Sequence, residues 1–211
     1  MPVRKVTIIN NKVSLEACLD LPAFTGACPG VVICHPHPLY GGDMANSVVV
    51  ALSRALTARG MAALRFNFRG VGQSMGTFAE GVGEVEDALA AVKFLSVLRE
   101  VDPGRIGMAG YSFGGMVAMA AGDRSSLVKA IAAVSPVMTD GALGGCLKPK
   151  YIISGSEDSL ISAQLIHDGA ETMPGPKKIE LIEGADHFWR GQSEMVGGRV
   201  AGFFVENLGL T

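Results

Sequence analysis

The chain has 211 residues, 48% of them hydrophobic, and a formal net charge of −2, which fits one domain able to bury a core without staples. With no cluster of Lys and Arg above that near-neutral background, neither nucleic acid nor an anionic membrane surface is an expected partner. No apolar run reaches the span of a bilayer, and the opening MPVRKVTIINNKVSLE turns polar too early for a signal peptide, so a cytoplasmic protein is expected, with homo-oligomerisation open.

The elements begin with a hairpin. In VTIINNKVSLEACLDLP, Val13, Leu15, Ala17, Leu19 and Leu21 alternate with polar or small residues on one side of an Asn10-Asn11 turn. Short apolar runs of the buried-strand kind follow: GVVICH (30–35), AALRFNF (62–68), RIGMAGYS (105–112), AIAAVS (130–135), KYIISG (150–155) and KIELIE (178–183). Between them lie helical patterns. One runs over 47–59 and stops at Gly60; the clearest runs over 84–99, with Val85, Ala88, Leu89, Val92, Leu95 and Leu98 on one face and Pro103-Gly104 as its terminator. Others cover 114–121 and 193–208.

Alternating strand and helix predicts an α/β fold: a mostly parallel, twisted sheet with helices on both faces and an antiparallel hairpin at its N-terminal end. In such sheets ligands bind beyond the carboxyl ends of the strands, so the loops after each strand carry the chemistry. The stretch PVMTDGALGGCLKP (136–149), rich in turn formers, is too short for a helical cap. A shallow, open site for short acyl groups is the corresponding expectation.

The motif that decides function is GYSFGG (110–115). A serine flanked two residues away on each side by glycine, after an apolar strand and before a small-residue helix, reads as a strained nucleophile turn. The bland alternative is a serine capping a buried helix. Phe113 N–H, at the helix start, would face any anion forming beside Ser112. A serine needs a base, and the base a carboxylate. Of the four histidines, His167 falls on a surface helix, His35 and His37 in a proline-rich loop, and His187 in GADHFW just past the last strand. His187 is the best base. For the acid, Asp158 in GSEDSLI is favoured over Glu157, which sits nearer the strand end, and over Asp186, a turn residue.

Ser112, Asp158 and His187 then occur in the chain order that marks α/β-hydrolases. The sequence resembles that superfamily over essentially its whole length, and within it the small, lidless serine esterases and the dienelactone-hydrolase-like group. HPHPLYGG (35–42) is similar to the oxyanion loop, NFRGVGQS (67–74) to the D-x-R-G-x-G-x-S turn, GSEDSLI to the acid loop and GADHFW to the histidine loop. Asn67 departs from the acidic residue usual there.

The resemblance implies a serine carboxylesterase without cofactor or metal, acting on a small ester, with Phe113 and His37 N–H groups as the oxyanion hole and Leu39 as the alternative donor. A metal site at His35-x-His37 lacks a third ligand. A thioesterase, amidase or acyltransferase would use the same triad, and a silent ligand-binding scaffold would not need it. Tyr40, Tyr111, Met138 and Trp189 are candidate substrate contacts, each with core packing as the plainer role. Cys18, Cys28, Cys34 and Cys146 show no paired spacing and read as free thiols. Cys34, ending a strand beside the oxyanion loop, is the one candidate for a reactive thiol, with core packing as the plainer role.

Overall fold

The computed structural model describes residues 3–23 and 26–209. Its sheet contains eight strands: β1 (Val3–Asn10), β2 (Val13–Asp20), β3 (Cys28–Cys34), β4 (Ala62–Phe66), β5 (Val101–Tyr111), β6 (Val128–Val134), β7 (Lys150–Gly155) and β8 (Lys177–Ile182). They lie in the order β1-β2-β4-β3-β5-β6-β7-β8. The hairpin β1–β2 and its junction with β4 are antiparallel; every other neighbour pair is parallel. The fold is that of an α/β-hydrolase without a cap.

Helices α1 (Ser47–Ala58) and α5 (Ser193–Leu208) cover one face, and α2 (Val82–Ser96), α3 (Phe113–Arg124) and α4 (Ala163–Glu171) the other. Because strand side chains alternate, the central strands feed both layers. Val31, Ile33, Ala109 and Tyr111 enter the core under α1 and α5, while Val32, Cys34 and Met108 enter the core under α2 and α3. That double burial explains why the central strands read as continuous apolar runs. Residues 136–149 form turns with no helix, as their composition predicts.

The starts of β5 and α2 differ from the pattern, α2 ends at Ser96 well before Pro103-Gly104, and α3 runs on to Arg124. β5 starts at Val101, before Pro103-Gly104, because Val101 pairs with Cys28 and the register then shifts before Ile106 meets Gly30. The proline sits in an irregularity of the ladder, where a missing N–H is tolerated. Helix α2 also starts earlier, at Val82. Glu84, fully buried, turns back and accepts the N–H groups of Ala79 and Gly81 at 2.9 and 2.8 Å.

Asn67, the departure from the resembled motif, has a local explanation. Its side-chain N–H donates to Glu16 Oε2 at 2.8 Å, and its Oδ1 accepts the Met44 N–H at 2.8 Å. An aspartate there would place a second carboxylate against Glu16 with no proton to share. Asn67→Asp should therefore lower folding stability by about 2 kcal/mol at neutral pH. The gap should narrow as the pH is lowered through the carboxylate range, measurable by urea unfolding. An unchanged midpoint at pH 7 would show that Glu16 moves away at no cost.

Candidate active site

Four loops at the carboxyl edge of the sheet converge. Ser112 follows β5 at φ 57° and ψ −121°, a left-handed conformation held by its N–H donating to Val134 O at 2.9 Å and by its carbonyl accepting from Gly115, Met116 and Val137. Glycine is required on both sides. A Cβ on Gly110 would lie 1.9 Å from Gly114 O, and one on Gly114 would lie 2.3 Å from the carbonyl oxygens of Cys34 and His35. The tightness of the turn is therefore inseparable from the contact between α3 and the end of β3.

His187 follows β8 and is 5% exposed. Its Nε2 stands 3.1 Å from Ser112 Oγ, and its Nδ1 stands 2.7 Å from Asp158 Oδ2. With Nδ1 as donor to the carboxylate, Nε2 carries the lone pair that faces the serine. Asp158 Oδ1 accepts the N–H groups of Leu160 and Ile161 at 3.0 and 2.8 Å. Burial of Asp158 works against its charge, yet the bonds from His187 and from those amides outweigh it and hold its carboxyl below the usual range. Glu157 is exposed, and Asp186 accepts from Arg190 within its own turn. His167 is on the outside of α4.

In the loop after β3, the Leu39 N–H donates to His37 Nδ1 at 3.2 Å. Leu39 is thus committed to its neighbour's ring. Among the described residues, the N–H groups of His37 and Phe113 have no acceptor within the chain. The His37 ring packs against Phe113, Phe78 and Tyr40 at centroid distances of 4.9, 5.0 and 4.7 Å, which fixes the loop against the start of α3.

His35 is fully buried and spends both ring nitrogens on backbone. Nδ1 donates to Pro36 O at 2.7 Å, and Nε2 accepts the Phe68 N–H at 3.0 Å. Burial pushes its pKa down to about 4. A pH dependence of stability follows. An unfolded imidazole gains its proton near 6.5, whereas the folded one resists until about 4, so the unfolded state binds more protons in that window. Stability should be complete above the upper value and lost progressively as pH falls through the window, by about 3 kcal/mol. Urea titrations at several pH values should show this slope in the native protein and lose it in His35→Gln. An equal slope in both would assign it to other groups.

Two candidate substrate contacts are corrected. Trp189 is fully buried in the core under α1 and α5 with Val196, Val200 and Phe204, so it cannot touch a ligand at the site. Tyr111 is 3% exposed because strand alternation sends it into that same layer, and its hydroxyl donates to His187 O at 2.7 Å. It is a positioning residue for the histidine loop. Tyr40 is 87% exposed at the rim, and Met138 is half-buried. Sequence reasoning missed Phe78, whose loop carries no periodic signal.

A cavity of about 670 Å³ lies between the segment after β6 and α4, lined by Val137, Met138, Ile161 and Leu165 among others. The four cysteines are buried and unpaired, and burial drives the Cys34 thiol far above its ordinary range, leaving it in the inert protonated form. Among the described residues no helix is long and apolar enough to cross a membrane.

Comparison with known proteins agrees with this architecture. Residues 11–192 match the family described as X-Pro dipeptidyl-peptidase (S15 family). An uncharacterized protein of Rickettsia prowazekii is 37% identical over 177 residues, covering 79% of this chain and 74% of that protein. An alpha-beta serine hydrolase homologue from Coxiella burnetii superposes with a TM-score of 0.84 at 30% identity, covering 93% of this chain and 96% of that one. An α/β serine hydrolase without a lid from Xanthomonas campestris gives 0.87 at 27% identity, with 100% and 98% covered.

Proposed function

The chain belongs to the X-Pro dipeptidyl-peptidase (S15) family of α/β serine hydrolases, and on that premise we propose that it is a serine esterase cleaving small carboxylic esters. The observation that carries the reading is the unbroken relay from Asp158 through His187 to Ser112, with separations of 2.7 and 3.1 Å at a strained turn.

In this mechanism Ser112 Oγ attacks the ester carbonyl carbon as His187 Nε2 takes its proton. The carbonyl oxygen becomes an oxyanion received by the Phe113 and His37 N–H groups, neither of which has an acceptor among the described residues. As the C–O bond breaks, His187 returns the proton to the leaving alcohol. Water then attacks the acyl-serine by the same route in reverse roles, releasing the acid and restoring the hydroxyl. Asp158 holds the imidazole in the donor-to-carboxylate tautomer and stabilises its cationic form.

A fluorophosphonate probe tests the reading directly. Intact protein should gain the mass of one phosphonyl group, localised to the peptide containing Ser112. No adduct, or one elsewhere, would leave the fold without this chemistry. The family description favours a second reading, peptide-bond cleavage. Comparing matched ester and anilide substrates separates the two: faster turnover of an X-Pro anilide than of any ester would make the protein a peptidase.

A further inference from the structure

We propose that the cavity between residues 137–142 and α4 is the acyl pocket, taking a neutral, largely apolar acyl arm of more than about four carbons. The proposal rests on the serine-hydrolase reading above and adds its substrate class.

Three directions leave the carbon attacked by Ser112. The oxyanion faces Phe113 and His37, on the β3 side of the serine. The leaving oxygen faces His187 Nε2, which must protonate it. The acyl arm takes the remaining direction, toward the loop after β6. That loop starts against the nucleophile: Val137 N–H donates to Ser112 O at 3.3 Å. The opposite wall starts against the acid, because Leu160 and Ile161, which line the cavity, are the residues whose N–H groups bind Asp158. Both walls of the cavity are therefore bonded to members of the relay, on the side of β5 away from β3.

Its chemistry fits an apolar arm. Val137, Met138, Ile161 and Leu165 are among its apolar wall, and Leu160 and Leu165 are 63% and 65% exposed, apolar surface that an occupant would cover. The charged groups on the wall, Asp140 and Asp168, are both acidic, with no Lys or Arg to receive an anion. An arm ending in a carboxylate is disfavoured.

Gly169, on α4, allows the pocket to be filled. A Cβ there would lie 2.7 Å from Met138 Cε, the free end of a flexible side chain, so Gly169→Leu drives Met138 into the cavity. The measurement is kcat/KM for p-nitrophenyl esters from acetyl to octanoyl, and for acetates with alcohol arms of matching length. In the native protein each early methylene of the acyl arm should add roughly a fourfold factor. Gly169→Leu should lose at least tenfold more on hexanoyl than on acetyl ester, and Ala142→Phe should do the same from the facing loop. A native preference for a neutral acyl end over its ω-carboxylate analogue should shrink in the Asp140→Asn, Asp168→Asn double variant.

Equal losses on acetyl and hexanoyl esters, or none on hexanoyl in either filled variant, would overturn the pocket while leaving the esterase reading intact. A loss confined to the alcohol series would reassign the cavity to the leaving group. Efficient turnover of the ω-carboxylate ester would overturn its neutral character. No turnover of any ester in either series by the native protein would instead remove the esterase reading, and the pocket with it.

Discussion

Ser112→Ala should reduce ester turnover by at least about ten-thousandfold while leaving the protein folded. The change removes a single oxygen, and the side chain is not what holds the turn. The backbone is fixed by Ser112 N–H on Val134 O and by three N–H groups on Ser112 O, all of which alanine retains. Alanine does inherit the left-handed φ of 57°, but that strain is already present with serine. The unfolding midpoint should accordingly stay close to that of the native protein. Residual turnover reflects the oxyanion donors and binding alone, so a trace rate is expected. A variant retaining more than a few per cent of native turnover, in a preparation free of contaminating esterase, would show that another nucleophile does the work. Loss of the fold along with the activity would be seen in the same unfolding experiment, and Ser112→Cys, which keeps a nucleophile at the same elbow, would then separate chemistry from structure.

Why Ser112, Asp158 and His187 could be found in the sequence while their neighbours could not has a physical basis. Ser112 and Asp158 follow strands that end in buried apolar runs, β5 and β7, and His187 follows the half-buried edge strand β8, so the strand pattern and the turn residues mark each place on the sheet. Gly110 and Gly114 add a local steric signature, because no other residue fits between Ser112, β3 and α3. The aromatic candidates carry no such mark. Trp189 is two residues from His187, yet a turn with φ 53° at Trp189 swings it into the core. Tyr111 adjoins the nucleophile, but strand alternation points it away from the serine's side of the site. Proximity in sequence says nothing about side-chain direction at a turn.

The cavity escaped notice for a related reason. Its two walls are α4 and the segment after β6, a helix with little burial and a loop with no period, and their separation is set by how α4 packs on β7 and β8. Counting residues in the loop predicted correctly that it builds no helix. It could not predict that the loop would stand off from α4.

Asp158→Asn should lower kcat by roughly ten-thousandfold, with the fold retained. An asparagine that keeps Oδ1 on the Leu160 and Ile161 N–H groups presents its amide nitrogen toward His187 Nδ1. That nitrogen can only donate, so the imidazole must turn Nδ1 into an acceptor and carry its proton on Nε2, facing Ser112 Oγ with no lone pair to accept from it. Flipping the amide would restore the tautomer at the expense of both backbone bonds, which is why loss of activity is the expected outcome. Charge contributes as well: the imidazolium formed during attack has lost its neighbouring anion. In the native protein the hydrogen bonds that hold the Asp158 carboxyl below its usual range keep it ionised as the pH is lowered. Its contribution to stability is present above the unfolded carboxyl value and is lost only as pH falls through the lower folded one. Glu157→Gln is the control, because Glu157 is exposed and bonded to the site only through its backbone N–H on Ala185 O. It should keep near-native turnover. If Glu157→Gln were the damaging change and Asp158→Asn the mild one, the relay assigned to Asp158 would be wrong whatever its geometry.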